Sequence, residues 1–77
     1  MDIANLVHMA NRIGDFYASF PDREEALREI AGHVHRFWAP RMRREILSQL
    51  NQATTAELHP MVREALDRWQ AELAPGP

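Results

Sequence analysis

Prolines at positions 21, 40 and 60 decide most of what this chain can fold into. Proline has no backbone N–H and its ring crowds the preceding turn, so a helix does not run straight through it. The residue before it is driven out of the α region. The 77-residue chain is thereby divided into four stretches, each short enough for one helix of ordinary length. Within each stretch, apolar residues recur at the helical period, and no alternating pattern suggests a strand. The expected fold is all-α: a small bundle of three main helices plus a short C-terminal fourth helix, in one domain over residues 1–73. Ala74-Pro75-Gly76-Pro77 is expected to be a disordered tail.

The first helix is expected from about Asp2 to Ser19, with Asp2 as its cap or first-turn acid. Ile3, Leu6, Val7, Ala10, Ile13, Gly14 and Tyr17 share one face. Met9, Phe16 and Phe20 widen that face to roughly half the circumference. Asn5, His8, Asn11, Arg12 and Asp15 lie opposite. Two short neighbours do not cover so wide an arc, so the flank around Met9 and Phe16 is expected to face something outside this fold. Asp22-Arg23-Glu24-Glu25 is a capping-box pattern. It opens a second helix running to Phe37 or Trp38, with Ala26, Leu27, Ile30, Ala31, Val34, Phe37 and Trp38 inward. Pro40 suits the first turn of a third helix. That helix is expected to reach about Asn51, with Met42, Ile46, Leu47 and Leu50 inward and Arg43 on the same apolar face. Asn51 to Glu57 is polar and reads as a loop. Leu58-His59-Pro60 opens the last helix, whose stripe is Val62, Ala65, Leu66, Trp69 and Leu73. Arg63 and Asp67 read as an exposed i,i+4 pair there.

A core this small is marginal by itself, and chains of this length commonly lean on disulfides, a metal or a partner. Cysteine is absent, which removes disulfides, zinc fingers and iron–sulfur ligation by this chain. The lack also fits a reducing compartment. A formal net charge of −2 argues against a generic nucleic-acid binder. Met1-Asp2-Ile3 lacks the basic start of a signal peptide, and no stretch approaches the ~18 uncharged apolar residues of a membrane span. Neither a signal peptide nor a membrane span is therefore expected.

Little points to catalysis. His33 and His35 are two positions apart, so on a helix their side chains diverge by about 200°. Metal-binding helices set ligands at i,i+3 or i,i+4, and His8 and His59 add no such pairing. Ser19 and Ser48 lie at a helix end and on an exposed helical face, and there is no G-x-S-x-G elbow. Gly14, Gly32 and Gly76 make no phosphate loop. No catalytic residue, metal ligand or cofactor site is therefore expected. Gly14 lies within a helix, where glycine costs about 1 kcal/mol relative to alanine; a close helix crossing is the expected reason. Gly32 falls on the solvent side and has no such reason unless a partner's backbone approaches it.

The segment His33 to Arg44, HVHRFWAPRMRR, combines four arginines with Phe37 and Trp38 and contains no acid. Arginine beside aromatics marks protein-interface hot spots and single-stranded nucleic-acid surfaces alike, and the same segment also reads as a solvated turn with Phe37 and Trp38 in the core; between the first two, the net acidity favours the interface. The candidate partner-binding residues are Met9, Phe16, Arg41, Met42 and Arg43, with Trp38 as anchor or core. Arg43 on an apolar face needs a carboxylate or carbonyl to receive it, which a partner is expected to supply. A homodimer of the isolated chain would cover the same flank. A nucleic-acid-binding regulator would instead use Arg36, Arg41, Arg43 and Arg44.

Leu6 to Phe16 (LVHMANRIGDF), His33 to Arg43 (HVHRFWAPRMR) and Leu58 to Leu66 (LHPMVREAL) resemble the delta subunit family of NAD-dependent formate dehydrogenase. F-W-x-P-R-M-R is the most specific stretch and L-V-x-M-A-N-x-I the next; the likeness covers about residues 1–70. His59 stands where a serine-like cap would be expected. The resemblance implies a cytoplasmic multi-subunit enzyme that oxidises formate to carbon dioxide and reduces NAD⁺. Its molybdenum or tungsten pterin, iron–sulfur clusters and flavin belong to larger subunits. The delta subunit is then an accessory chain without a redox centre, partnered with the catalytic (alpha) subunit and associated with stabilising or maturing the complex. A transient maturation factor is the alternative within the same resemblance.

Overall fold

Two aspartates start the first two helices. In the computed structural model, which describes residues 2–76, α1 spans Ile3–Tyr17 and the Asp2 carboxylate accepts the Ala4 N–H. α2 spans Arg23–Phe37, and Asp22 accepts the N–H groups of Glu24 and Glu25. Each carboxylate satisfies first-turn donors that have no partner within the helix. α3, Pro40–Ser48, begins with its proline in the first turn. A 3₁₀ turn at Ala53–Thr55 leads to α4, Pro60–Arg68, and a single further turn, α5, covers Gln70–Leu73. The fold is all-helical, and no strand occurs among the described residues. Of the tail expected at 74–77, Pro77 lies outside the described residues.

α2 packs against α1, α4 and α5, while α1 also meets α3, α4 and the 3₁₀ turn. Leu6, Ala10, Leu27, Ile30, Ile46, Val62, Leu66 and Leu73 fill the space between them and are essentially inaccessible. Gly14 lies where α1 crosses α4. A Cβ there would stand 2.7 Å from the His59 ring and 2.8 Å from a Val62 methyl, so the close crossing expected at this glycine is present.

Four local expectations are corrected. α3 stops at Ser48 rather than near Asn51; the chain turns there through Asn51 at φ 67°, a left-handed conformation that asparagine tolerates. The polar stretch after it is not simply solvated. Thr55 is fully buried and its hydroxyl donates to the Gln49 and Gln52 carbonyls. The last helix is divided at Trp69, whose φ −105° and ψ 29° leave the helical range. Phe37, read as inward, is 68% exposed. α2 ends at Phe37, and Trp38 leaves the helical path with extended backbone, which carries its own ring into the core in place of its neighbour's.

Candidate functional site

The arginine expected to seek a partner finds its acceptors at home. Arg43 is half-buried. Its Nε donates to the Leu73 carbonyl at 2.9 Å, and its Nη1 donates to the carbonyls of Trp38 at 2.9 Å and His35 at 3.3 Å. His35 lies in the last turn of α2, Trp38 caps that helix, and Leu73 ends α5. The last carbonyls of a helix lack intrahelical donors and carry the negative end of its dipole, so one guanidinium serves two helix C-termini. The expectation that a partner must receive Arg43 is overturned by this geometry. Trp38 is core, at 5% exposure. Met42 is half-buried against the core, and Arg41 is exposed beside it on α3. Of the four arginines that a nucleic-acid surface would have used, Arg43 is committed inward.

A second polar junction ties α1 to the segment before α4. Asn11 donates from Nδ2 to the Glu57 carbonyl at 2.8 Å, and its Oδ1 accepts the His59 N–H at 2.7 Å. The His59 Nδ1 in turn accepts the Met61 N–H at 3.1 Å, so histidine caps α4 where a serine-like residue was expected. Its Nε2 faces Asp15 at 3.7 Å. Arg63 does not pair with Asp67; it donates to the Thr55 carbonyl and to the Asn51 side chain. Asn11, assigned by periodicity to the solvent side of α1, is therefore a bridging residue.

The exposed apolar surface gathers on one flank of α1 and the last turns of α2. Among the described residues, Met9, Phe16 and Phe37 are the large hydrophobic residues most open to solvent, with Phe16 at 64%. Met9 and Phe16, seven residues apart, recur on one face of α1 after two helical turns. Rings then run from one helix to the other. Phe16 meets Tyr17 edge-on with centroids 4.9 Å apart, and Tyr17 meets Phe20 at 5.0 Å. Tyr17 approaches His33 at 6.5 Å, and His33 approaches Phe37 at 4.9 Å. Arg36 lies over the Phe37 ring at 5.7 Å, within cation–π range. Between the helices is a cleft of about 290 Å³ lined by Arg12, Ile13, Phe16, Tyr17 and His33. Sequence reasoning found Met9 and Phe16 but missed Phe37, His33 and Arg12. The spacing of His33 and Phe37, four apart on α2, was the available signal, obscured by assigning Phe37 to the core.

Among the described residues, no three His, Cys, Asp or Glu side chains converge to hold a metal ion. No helix among them is long and apolar enough to cross a membrane. Fold and surface together define a small all-α protein with internally capped helices and an exposed aromatic flank. The chain belongs to the FdsD family, the delta subunit of NADH-dependent formate dehydrogenase, whose model matches residues 5–66. That stretch runs from the first turn of α1 to most of α4 and contains the aromatic flank, the Asn11 junction and Arg43. No curated protein and no solved structure matches the chain.

Proposed function

We propose that this chain is a non-catalytic accessory subunit of a cytoplasmic NAD-dependent formate dehydrogenase, docking on the catalytic subunit to stabilise the complex or help it mature. The observation that carries the proposal is the ring-lined flank of Met9, Phe16 and Phe37, left open in a chain of this family. Fully burying a large apolar side chain contributes ~1.5–3 kcal/mol, and this fold leaves that gain unused. A neighbouring subunit would supply the cover. The redox chemistry belongs to other subunits on this reading, because iron–sulfur clusters need thiolate ligands and this chain has no cysteine.

Among the other residues expected at the contact, Arg41 is exposed on α3, with half-buried Met42 beside it. Trp38 and Arg43 act from inside, fixing the corner between α2 and α3. The test is co-purification of a Phe16→Asp variant with the catalytic subunit. Recovery of the complex is expected to fall, and undiminished recovery would overturn the docking surface. Stoichiometry in the active enzyme separates a permanent subunit from a transient maturation factor: the first predicts one copy per catalytic subunit, the second a chain found on the immature enzyme alone.

A further inference from the structure

The two ring nitrogens of His59 face different helices, and each contact asks for a different charge on the ring. Nδ1 accepts the Met61 N–H at 3.1 Å and so caps α4. Nε2 stands 3.7 Å from the Asp15 carboxylate on α1. The ring has this seat because α1 carries no side chain at Gly14, where a Cβ would lie 2.7 Å from the His59 Cγ. The side chain is only 21% exposed, and Asn11 holds the backbone N–H at 2.7 Å. An imidazole nitrogen accepts a hydrogen bond only while the ring is neutral; in the imidazolium both nitrogens donate. The cap therefore needs the neutral ring with its proton on Nε2. The 3.7 Å approach to Asp15 is too long for a hydrogen bond, and its attraction is full only when the ring is charged.

We propose that His59 is a protonation-sensitive joint between α1 and α4. Uncharged, it caps α4; on taking a proton from solvent at Nδ1 it gives up the Met61 N–H and turns its hold to Asp15. The other charged groups around this seam are engaged elsewhere or lie off the ring. On α1, His8 lines a depression with Asn11 and Glu57, and Arg12 lines the cleft beside Tyr17 and His33. On α4, Arg63 reaches the Thr55 carbonyl and the Asn51 side chain, and Glu64 pairs with Arg23 of α2. Among the described residues, Asp15 alone forms an ion pair with the ring. The Asn11 clamp on the Glu57 carbonyl and the His59 N–H does not titrate, so α4 keeps its attachment to α1 in both states. Acidification then loosens the first turn of α4 and tightens its tie to α1. Histidine is the side chain that ordinarily changes charge between pH 5 and 8. The joint is independent of the aromatic flank and of what docks there.

The test is an NMR titration of the full chain from pH 8 to pH 5, reading the His59 ring nitrogens, the Met61 amide and the Asp15 carboxyl carbon. At pH 8 the ring is expected to carry its proton on Nε2 and to leave Nδ1 bare. As the ring takes up its second proton, the Met61 amide and the Asp15 carboxyl are expected to move with it. Protection of the Met61 amide, corrected for the intrinsic pH dependence of exchange, is expected to fall about fivefold, as for a lost cap, while Ala10 at the centre of α1 is unchanged. His59→Ser supplies a hydroxyl that caps without titrating, and its Met61 amide is expected to ignore the same pH range. A bare Nε2 with the proton on Nδ1 at pH 8 would overturn the proposal, and so would a ring that stays uncharged down to pH 5. A Met61 amide that stays still while the ring titrates overturns it from the wild-type chain alone. A pH response that survives in His59→Ser assigns it to another histidine and overturns it as well.

Discussion

Arg43 and Gly14 each do one thing that no near substitute repeats. Arg43 brings three donors' worth of reach to carbonyls from positions 35, 38 and 73. Arg43→Met keeps the apolar stem but strips the donors from acceptors that the fold has partly withdrawn from water. It is expected to destabilise the chain by about 1–3 kcal/mol in urea unfolding. Arg43→Lys should recover only part of this, since a compact ammonium cannot fork between two helix ends. At Gly14, alanine gains about 1 kcal/mol of helix propensity, yet its methyl would meet the His59 ring and Val62. Overpacking of this kind costs about 1–3 kcal/mol, so Gly14→Ala is expected to be neutral to destabilising, never stabilising, in the same measurement. The two residues differ in how readily sequence reveals them. A glycine that breaks helix propensity points to a crossing wherever the partner lies. Arg43's place on an apolar face was equally visible, but periodicity says which face a side chain is on and not what faces it. Its acceptors come from residues 5 and 8 positions before it and 30 positions after it, a convergence that only the packed fold produces.

At the scale of elements, nine-residue α4 and four-residue α5 are too short to persist alone. They depend on junctions with longer helices. Asn11 is the principal one for α4, gripping the Glu57 carbonyl and the His59 N–H together. Asn11→Ala is expected to cost about 1–2 kcal/mol. Hydrogen exchange should show faster exchange first at His59 and Met61, with the centre of α2 still protected. Helix starts were legible because prolines and aspartates mark them chemically: Asp2, Asp22, Pro40 and Pro60 each sit at the first turn or the cap. Ends without such marks were not. Nothing in the residues around Trp69 announces the break there, and α3 closes before its apolar pattern does, with Leu50 still packed on the core from the turn. Phe37 failed for a related reason. An unbroken helix would have put both it and Trp38 near the stripe, whereas the chain leaves the helix between them.

For the whole molecule, the aromatic flank separates stability from association. Phe16 and Phe37 are more than half exposed, so Phe16→Ser and Phe37→Ser are expected to change the stability of the isolated chain by no more than about 0.5 kcal/mol, and thermal melts will show it. Binding to the enzyme should suffer instead. In a domain of this size 1 kcal/mol moves the melting temperature by about 4–8 °C. The contrast with Arg43→Met is therefore readable in a single set of melts. The all-helical architecture and the family were legible in the sequence, the first from period and punctuation and the second from stretches such as F-W-x-P-R-M-R. The shape of the flank was not, because a cleft between α1 and α2 exists only once Tyr17 and His33 are brought together from positions 16 residues apart.

Leu73 is buried to 1% and its carbonyl receives Arg43, although it lies beyond the stretch that the family model matches. During synthesis α1, α2 and α3 leave the ribosome before it does. Until α4 packs on α1 and α2 and α5 packs on α2, the core is incomplete. The nascent chain is then at its stickiest, and that is the moment when a chaperone has most to hold.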